Sequence, residues 1–145
     1  MDTSALKIVL DTNILLAIIG RRSPYRWLFD LLIEGKVRLC VSNEILLEYQ
    51  EVLSTKASPE VGANVVNFIR THPATVETKI YFNFNLIESD ADDNKFVDCS
   101  IAADADLILT NDGHFNILKD LDFPKIVTCG LKEFETLYRD DLNGK

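Results

Sequence analysis

Four acidic side chains stand where a parallel α/β sheet would gather them at one edge. Asp11 and Asp112 each follow a short apolar run that predicts a strand, and Glu48 and Asp93 lie beside the apolar stripes of two predicted helices. Clustered carboxylates repel one another and are rarely buried without compensation, so such a set requires a cation. Oxygen ligands suit Mg²⁺ or Mn²⁺. The sequence therefore predicts a divalent-metal site.

Helical phase separates Glu48 from its acidic neighbours. Ile45, Tyr49 and Leu53 form one face of the predicted helix, and Glu48 lies at the edge of that face. Glu44 lies farther toward solvent. Glu48 is thus the acid of this helix directed nearest the protein body, although a salt-bridged glutamate at the edge of the face is the alternative.

Helical phase also separates Asp93 from the other aspartates of its own helix. The apolar stripe that contains Phe96 and Ile101 passes through Asp93 when it is extended back by one turn, whereas Asp92 and Asp98 point away from it. An aspartate in a first helical turn is also favoured as a cap, which is the alternative for Asp93. Asp98 is retained as a possible outer acid.

Simpler roles exist for the remaining acids as well. Asp11 could cap the helix that follows it, and Asp112 lies in an Asn-Asp-Gly sequence that is typical of a turn. His114 follows Asp112 closely and could contact substrate, although a surface loop residue is the preferred interpretation. Residues adjacent to Asp11 and Asp112 could orient the ligands through hydrogen bonds; they are Thr12, Asn13, Thr110 and Asn111.

Composition limits the class of protein. The 145 residues suffice for one domain over 1–145, and 47% of them are hydrophobic. The net charge of −8 argues against a broad basic nucleic-acid surface. The sequence has no apolar run that could span a membrane, and Met1–Lys7 lacks the apolar core of a signal peptide, so we expect a cytosolic protein. The three cysteines are widely spaced, which indicates buried thiols.

Apolar runs alternate with helical patterns, which predicts a parallel sheet with helices on its faces. The predicted strands are 6–11, 37–41, 75–80, 106–109 and a short run around 126–127. The predicted helices run from Thr12 to about Gly20 and then over 25–34, 42–55, 58–71, 92–103 and 131–142, with a connecting loop over 81–89. In such sheets ligands bind beyond the carboxyl ends of the strands, where Asp11 and Asp112 both fall.

The acidic segments resemble those of the PIN-domain family. "IVLDTNILL" is similar to the first-strand motif and carries Asp11, and "VSNEILLEYQEVL" is similar to the helix that carries the second acid, Glu48. "DADDNKFVDCSIAADADLILTND" is similar to the third and fourth acidic segments and carries Asp93 and Asp112. These matches extend over most of the chain.

The resemblance implies a three-layer domain with a central parallel sheet of about five strands. It also implies a Mg²⁺- or Mn²⁺-dependent endoribonuclease, with Asp11, Glu48, Asp93 and Asp112 as metal ligands and catalytic residues. Many family members are toxins of bacterial toxin–antitoxin pairs. The expected partners are therefore RNA as substrate, a small antitoxin protein and a second copy of the chain.

Two other classes stay open. An aspartate-based phosphotransfer domain also places an aspartate at the end of its first strand. Its phosphatase form requires a second acid where this chain has Asn13, and its receiver form requires a lysine after the late strands, whereas Lys125 precedes Ile126. The other class is a catalytically silent PIN-like binding module, which a metal-binding measurement would distinguish from an enzyme.

Overall fold

A parallel sheet forms the centre of the molecule. The computed structural model describes residues 5–88 and 90–143. The strands are β1 (Leu6–Leu10), β2 (Val37–Val41), β3 (Val76–Glu77), β4 (Leu107–Leu109) and β5 (Thr128–Cys129). They lie in the order β3-β2-β1-β4-β5, and every adjacent pair is parallel. This arrangement confirms the predicted α/β fold with a five-stranded parallel sheet.

Helices connect the strands. They are α1 (Thr12–Ile18), α2 (Arg26–Glu34), α3 (Asn43–Lys56), α4 (Pro59–Thr71), α5 (Asn94–Ala103) and α6 (Leu131–Asn143). Two 3₁₀ segments, Ala91–Asp93 and Gly113–Asp120, precede α5 and follow β4 respectively. A 3₁₀ segment after β4 was not predicted, because its glycine and asparagine residues are equally typical of an irregular turn.

Local side chains determine where several helices begin and end. The Ser42 hydroxyl accepts a hydrogen bond from the Ile45 amide at 3.4 Å, and the Ser58 hydroxyl accepts one from the Val61 amide at 3.1 Å. Both serines therefore act as N-caps of the helices that follow them. Gly35 ends α2 with a φ of 75°, a conformation that glycine adopts without steric cost.

The central strands are covered on both faces. Ile8, Val9 and Leu10 are each 0% exposed, although successive side chains of a strand point to opposite faces. Helix α5 packs against β1, β2 and β4, and α2 packs against β2. The fold is thus the predicted three-layer arrangement, and parallel strands buried on both faces explain the continuous apolar runs in the sequence.

The two outer strands differ from their predicted bounds. The predicted strand over 75–80 is reduced to Val76–Glu77, because β3 lies at the sheet edge and pairs only with β2. The last strand was expected around 126–127 and lies at Thr128–Cys129, where it pairs with β4. The Val127 carbonyl still accepts a hydrogen bond from Ile108, so the predicted segment reaches the sheet just before the strand begins.

Some sequence predictions lie partly outside the described residues. These are the first four residues of the Met1–Lys7 segment, Ser89 at the end of the predicted loop and the last two residues of the predicted domain. All three cysteines are buried free thiols, as expected. No helix within 5–88 and 90–143 combines the length and apolarity that crossing a bilayer requires.

Candidate active site

Thr110 links two of the four predicted acids at the carboxyl edge of the sheet. Asp11 follows β1, is 6% exposed and accepts a hydrogen bond at Oδ2 from the Thr110 hydroxyl at 2.9 Å. The same hydroxyl oxygen accepts a hydrogen bond from the Asp112 amide at 3.0 Å. Thr110 therefore orients the Asp11 carboxylate and fixes the backbone of Asp112 next to it.

The alternative roles, a helix cap for Asp11 and a turn residue for Asp112, have different outcomes. Asp11 occupies the N-cap position of α1, but its side chain makes no capping hydrogen bond. Asp112 does fulfil the turn role, because its Oδ1 accepts a hydrogen bond from the His114 amide at 2.9 Å. The Asp11 carboxylate thus makes its side-chain hydrogen bond with Thr110, whereas one oxygen of Asp112 supports its own loop.

Tyr49 positions Glu48 beside Asp11. The buried Tyr49 hydroxyl donates a hydrogen bond to the Leu10 carbonyl at 2.6 Å, which attaches α3 to the end of β1. Glu48, the preceding residue, accepts a hydrogen bond from the Thr12 hydroxyl at Oε2 and pairs through Oε1 with the Lys95 ammonium at 2.5 Å. Glu48 is therefore half-buried at the edge of its helix face, as predicted, and it is also salt-bridged.

Lys95 is held in its charged form by this contact. Burial by itself lowers the pKa of Lys95, but the hydrogen bond and charge of Glu48, together with the charges of Asp92 and Glu44, outweigh burial, and the net pKa is raised. The side chain of Lys95 is only 14% exposed. A cation is thus fixed at the margin of the acidic cluster.

Asp93 is the buried acid of its segment, as helical phase predicted. It is 9% exposed, whereas Asp92 is exposed to solvent. Asp93 precedes α5 but makes no capping hydrogen bond with its side chain, so the capping alternative does not account for it. Its Oδ2 atom is buried and has no hydrogen-bond partner among the described residues.

Asp98 lies elsewhere. It was expected to point away from the buried stripe, but it is only 4% exposed, because the loop before α5 covers that side of the helix. Its Oδ1 accepts a hydrogen bond from the Phe84 amide at 3.0 Å. Asn94 supports the same loop through two hydrogen bonds of 2.8 Å with the backbone of Ile87. The structure therefore places Asp98 against the loop, and its role as an outer acid stays a prediction.

The two predicted supporting asparagines are exposed. The side-chain oxygen of Asn111 accepts a hydrogen bond from the Leu131 amide at 3.0 Å and so supports the start of α6. Asn13 and Asn111 line a cavity of about 260 Å³ together with Asp11 and Asp112. The predicted supporting asparagines and two of the predicted acids therefore line the same cavity.

Burial and mutual repulsion raise the pKa of two acids. The pKa of Asp93 is raised to about 6, first by burial and then by the negative charges of Asp90, Asp112 and Asp11, while the His114 side chain partly offsets these effects. The pKa of Asp11 is raised by burial. The Thr110 hydroxyl and the backbone N–H of Asn13 oppose this rise, and the charges of Asp112 and Glu48 add to it. The four predicted acids therefore share one electrostatic environment.

Two further residues of this environment, Asp90 and His114, were not among the predicted site residues. His114 Nδ1 lies 3.3 Å from Asp112 Oδ1, 3.5 Å from Asp93 Oδ2 and 3.7 Å from Asp90 Oδ2. Nothing in the sequence favoured Asp90 over the other aspartates of 90–93, and a surface loop residue was the preferred interpretation of His114. Its exposed fraction of 47% fits that interpretation, but the neighbouring carboxylates do not. The closeness of His114 to Asp112 in sequence was the available signal.

A divalent cation fits this set of donors. The cluster offers carboxylate oxygens, which Mg²⁺ and Mn²⁺ prefer. The buried Asp93 Oδ2 atom without a hydrogen-bond partner is the observation that most requires a cation, since an unpaired buried carboxylate is costly. Asp11, Asp93 and Asp112 could hold such an ion directly, and Glu48 could join them by exchanging its contact with Lys95.

Comparison with known protein families identifies the family of this chain. The family model described as "PIN domain" matches residues 7–114, which include all four acids. The chain belongs to the PIN-domain family. No curated protein matches the chain in sequence.

Chains in two solved structures share the fold. The chain is similar to one in VapBC2 from Rickettsia felis bound to a DNA fragment from their promoter, with a TM-score of 0.59 and 17% identity over 86% of this chain and 98% of that one. It is also similar to one in DNA-bound VapBC from Salmonella typhimurium, with a TM-score of 0.56 and 19% identity over 87% and 98% of the two chains.

The raised pKa of Asp93 predicts a pH-dependent stability of the metal-free protein. Its pKa is about 6 in the folded state against a usual 3.8, so the folded protein binds more protons between these values. The protonated Asp93 carboxyl therefore contributes stability that is fully present below about pH 4. This stability is lost as the pH rises through about 6, and the expected loss is about 1–3 kcal/mol.

Urea unfolding in EDTA over this pH range measures the effect. Asp93→Asn stays neutral at every pH, so the stability of this variant relative to the wild type should increase as the pH rises. Parallel stability profiles for the two proteins would contradict the assignment of a protonated, buried Asp93.

Proposed function

We propose that this PIN-domain protein is a divalent-metal-dependent endoribonuclease and the toxin of a bacterial toxin–antitoxin pair. The observation that carries the proposal is the buried Asp93 carboxylate, which lacks a hydrogen-bond partner and shares its surroundings with Asp11 and Asp112. A protein gains nothing in stability from such a cluster, so a function that uses a cation is the simplest reason for it.

Hydrolysis of a phosphodiester is the chemistry that this site supports best. A bound divalent ion would lower the pKa of a water ligand and offset the charge that builds on the scissile phosphate. Asp11, oriented by Thr110, and Asp93 would bind the ion, and a carboxylate left outside its coordination could accept the proton of the attacking water. If Glu48 exchanged its contact with Lys95 for the ion, the Lys95 ammonium would become available to neutralise phosphate charge.

A groove on the same sheet edge supports a polymeric substrate. A cavity of about 610 Å³ lies at the carboxyl ends of β2 and β3. Arg70, Lys79 and the exposed ring of Tyr81 line it, together with the acidic Glu44 and Glu77. Cations and an aromatic ring suit a single strand of nucleic acid. The choice of RNA over DNA comes from the family resemblance.

The proposed partners come from the relatives. Both solved relatives are VapBC assemblies bound to DNA, and the family includes many toxins of toxin–antitoxin pairs. We therefore expect an antitoxin encoded beside this chain and a homodimer of the chain itself. The phosphotransfer alternative gains no support, because position 13 is asparagine and the Asp11 carboxylate contacts the Thr110 hydroxyl rather than a lysine.

Bacterial growth tests the proposed role as a toxin. Expression of the wild type alone should slow growth, and Asp11→Asn should not, at equal levels of soluble protein. Asp92→Asn is the matched control, because Asp92 is an exposed neighbour of the site, and it should slow growth as the wild type does. Equal growth with the wild type and Asp11→Asn would contradict the role.

A further inference from the structure

His114 brings a nitrogen donor to the rim of the acidic cluster. Its Nδ1 atom faces the carboxylates of Asp90, Asp93 and Asp112 at 3.7, 3.5 and 3.3 Å respectively. One candidate ligand atom from each of Asp90, Asp93 and His114 lies within 4.8 Å of the other two. Atoms this close can share one ion after small side-chain movements, since metal–ligand distances are about 2.0–2.2 Å.

The Asp93 carboxylate is directed into this group. It is 9% exposed, and its Oδ2 atom has no hydrogen-bond partner within the described ranges 5–88 and 90–143. The imidazole nitrogen at 3.5 Å is too distant for a good hydrogen bond. A metal ion bound by both Asp93 Oδ2 and the ring nitrogen would give the buried oxygen the partner that it lacks.

Backbone contacts hold the donors in place. Asp90 Oδ1 accepts a hydrogen bond from the Asp92 amide at 3.2 Å, which leaves Oδ2 to face His114. The His114 amide donates to Asp112 Oδ1 at 2.9 Å and so fixes the backbone that carries the imidazole. The three donors therefore come from two separately ordered segments, 90–93 and 112–114.

We propose that Asp90, Asp93 and His114 bind a divalent transition-metal ion, and that His114 makes the site favour Mn²⁺ over Mg²⁺. Mg²⁺ prefers oxygen ligands and retains its waters. Mn²⁺ also accepts carboxylate oxygens, but as a first-row transition ion it binds imidazole nitrogen more readily than Mg²⁺ does, so it suits a site with two carboxylates and one imidazole. The proposal rests on the proposed function in that the ion would serve the same cleft. It adds Asp90 and a nitrogen ligand to the four acids predicted from the sequence.

Pulsed EPR of Mn²⁺ detects the nitrogen directly. Protein without an affinity tag is loaded with MnCl₂ and examined for ¹⁴N modulation from a directly bound imidazole. The chain has two histidines. His72 is the matched control, because its Nε2 lies 2.8 Å from the Ile33 carbonyl and its Nδ1 accepts the Ala74 amide at 3.1 Å.

The wild type and His72→Gln should both give the ¹⁴N signal, and His114→Gln should lose it. His114→Gln and Asp90→Asn should each weaken Mn²⁺ binding at least about tenfold. Tenfold is the lower end of the loss in metal affinity when even a group that only hydrogen-bonds a metal ligand is replaced. For His114→Gln, Mg²⁺ binding should change much less than Mn²⁺ binding. His114 is half exposed, so the variant should fold, and circular dichroism checks this.

Two results would overturn the proposal. One is a Mn²⁺-loaded wild type without an imidazole ¹⁴N signal, and the other is an unchanged signal in His114→Gln. Neither measurement uses RNA, so both are independent of the proposed nuclease activity. A protein that binds Mn²⁺ through His114 but cleaves no RNA would support the metal site and contradict the proposed function.

Discussion

Replacing Asp11 with asparagine is expected to lower the rate of RNA cleavage by at least about 10²-fold, the usual scale for loss of a metal or acid–base group. Glu48→Gln, Asp93→Asn and Asp112→Asn should have effects of the same order. Each change removes a negative charge that the cation requires, while size and hydrogen-bonding capacity are nearly kept. The Thr110 hydroxyl can still donate to the asparagine oxygen at position 11, so the fold should persist.

The matched control for this series is Asp92→Asn. Asp92 is adjacent to Asp93 but exposed, so this variant should retain most of the activity. Asp98→Asn should also retain most of it, because Asp98 accepts a hydrogen bond from the loop amide of Phe84 and an asparagine oxygen can do the same. Full activity in any two of the four site variants, measured with purified folded protein, would contradict the assignment of the site.

A large thermal stabilisation by Mn²⁺ or Mg²⁺ is the second expected result. The carboxylates of Asp11, Asp93 and Asp112 raise one another's electrostatic energy in the metal-free protein, and a cation relieves this repulsion only in the folded state. An ion at about 100 times its Kd stabilises by about 2.7 kcal/mol. For a chain of this size that corresponds to a melting shift of roughly 5–15 °C.

Asp11→Asn gives this experiment its internal comparison. With one repelling charge removed, the variant should melt at or above the wild-type temperature in EDTA, and its shift on adding metal should be smaller. Melting curves of both proteins in EDTA, Mg²⁺ and Mn²⁺ provide the measurement. Three identical wild-type curves would remove the physical basis of the metal site.

The central strands and the phase of the site helices could be predicted from sequence because their causes are local. β2 has the predicted bounds and β1 ends one residue earlier than predicted, since strands buried on both faces require continuous apolar runs. Asp93 could be separated from Asp92 because helical periodicity determines which of two adjacent residues faces the core. The strand at the sheet edge, β3, was less predictable, because its length depends on a single neighbour.

The contacts that sequence reasoning missed depend on tertiary structure. Asp98 is buried because the loop that contains Phe84 covers it, and no periodicity within the helix encodes that cover. Asp90 and His114 meet because the segments before α5 and after β4 converge at the carboxyl edge of the sheet. Lys95 pairs with Glu48 of a different helix, and the separation of these residues in sequence contains no signal of that contact.

The measurement that tests the central claim most directly is RNA cleavage in ¹⁸O-labelled water. Purified wild-type protein is incubated with a pool of RNA of mixed sequence, in Mn²⁺ and in EDTA, and mass spectrometry identifies the new ends. Attack by water forms one new P–O bond and breaks the bond to the leaving ribose oxygen, which takes up a proton. We predict cleavage only with metal, with one solvent oxygen in each new linear terminal phosphate. Cleavage that persists in EDTA, cyclic 2′,3′-phosphate ends, or an intact pool in Mn²⁺ would contradict a metal-dependent ribonuclease.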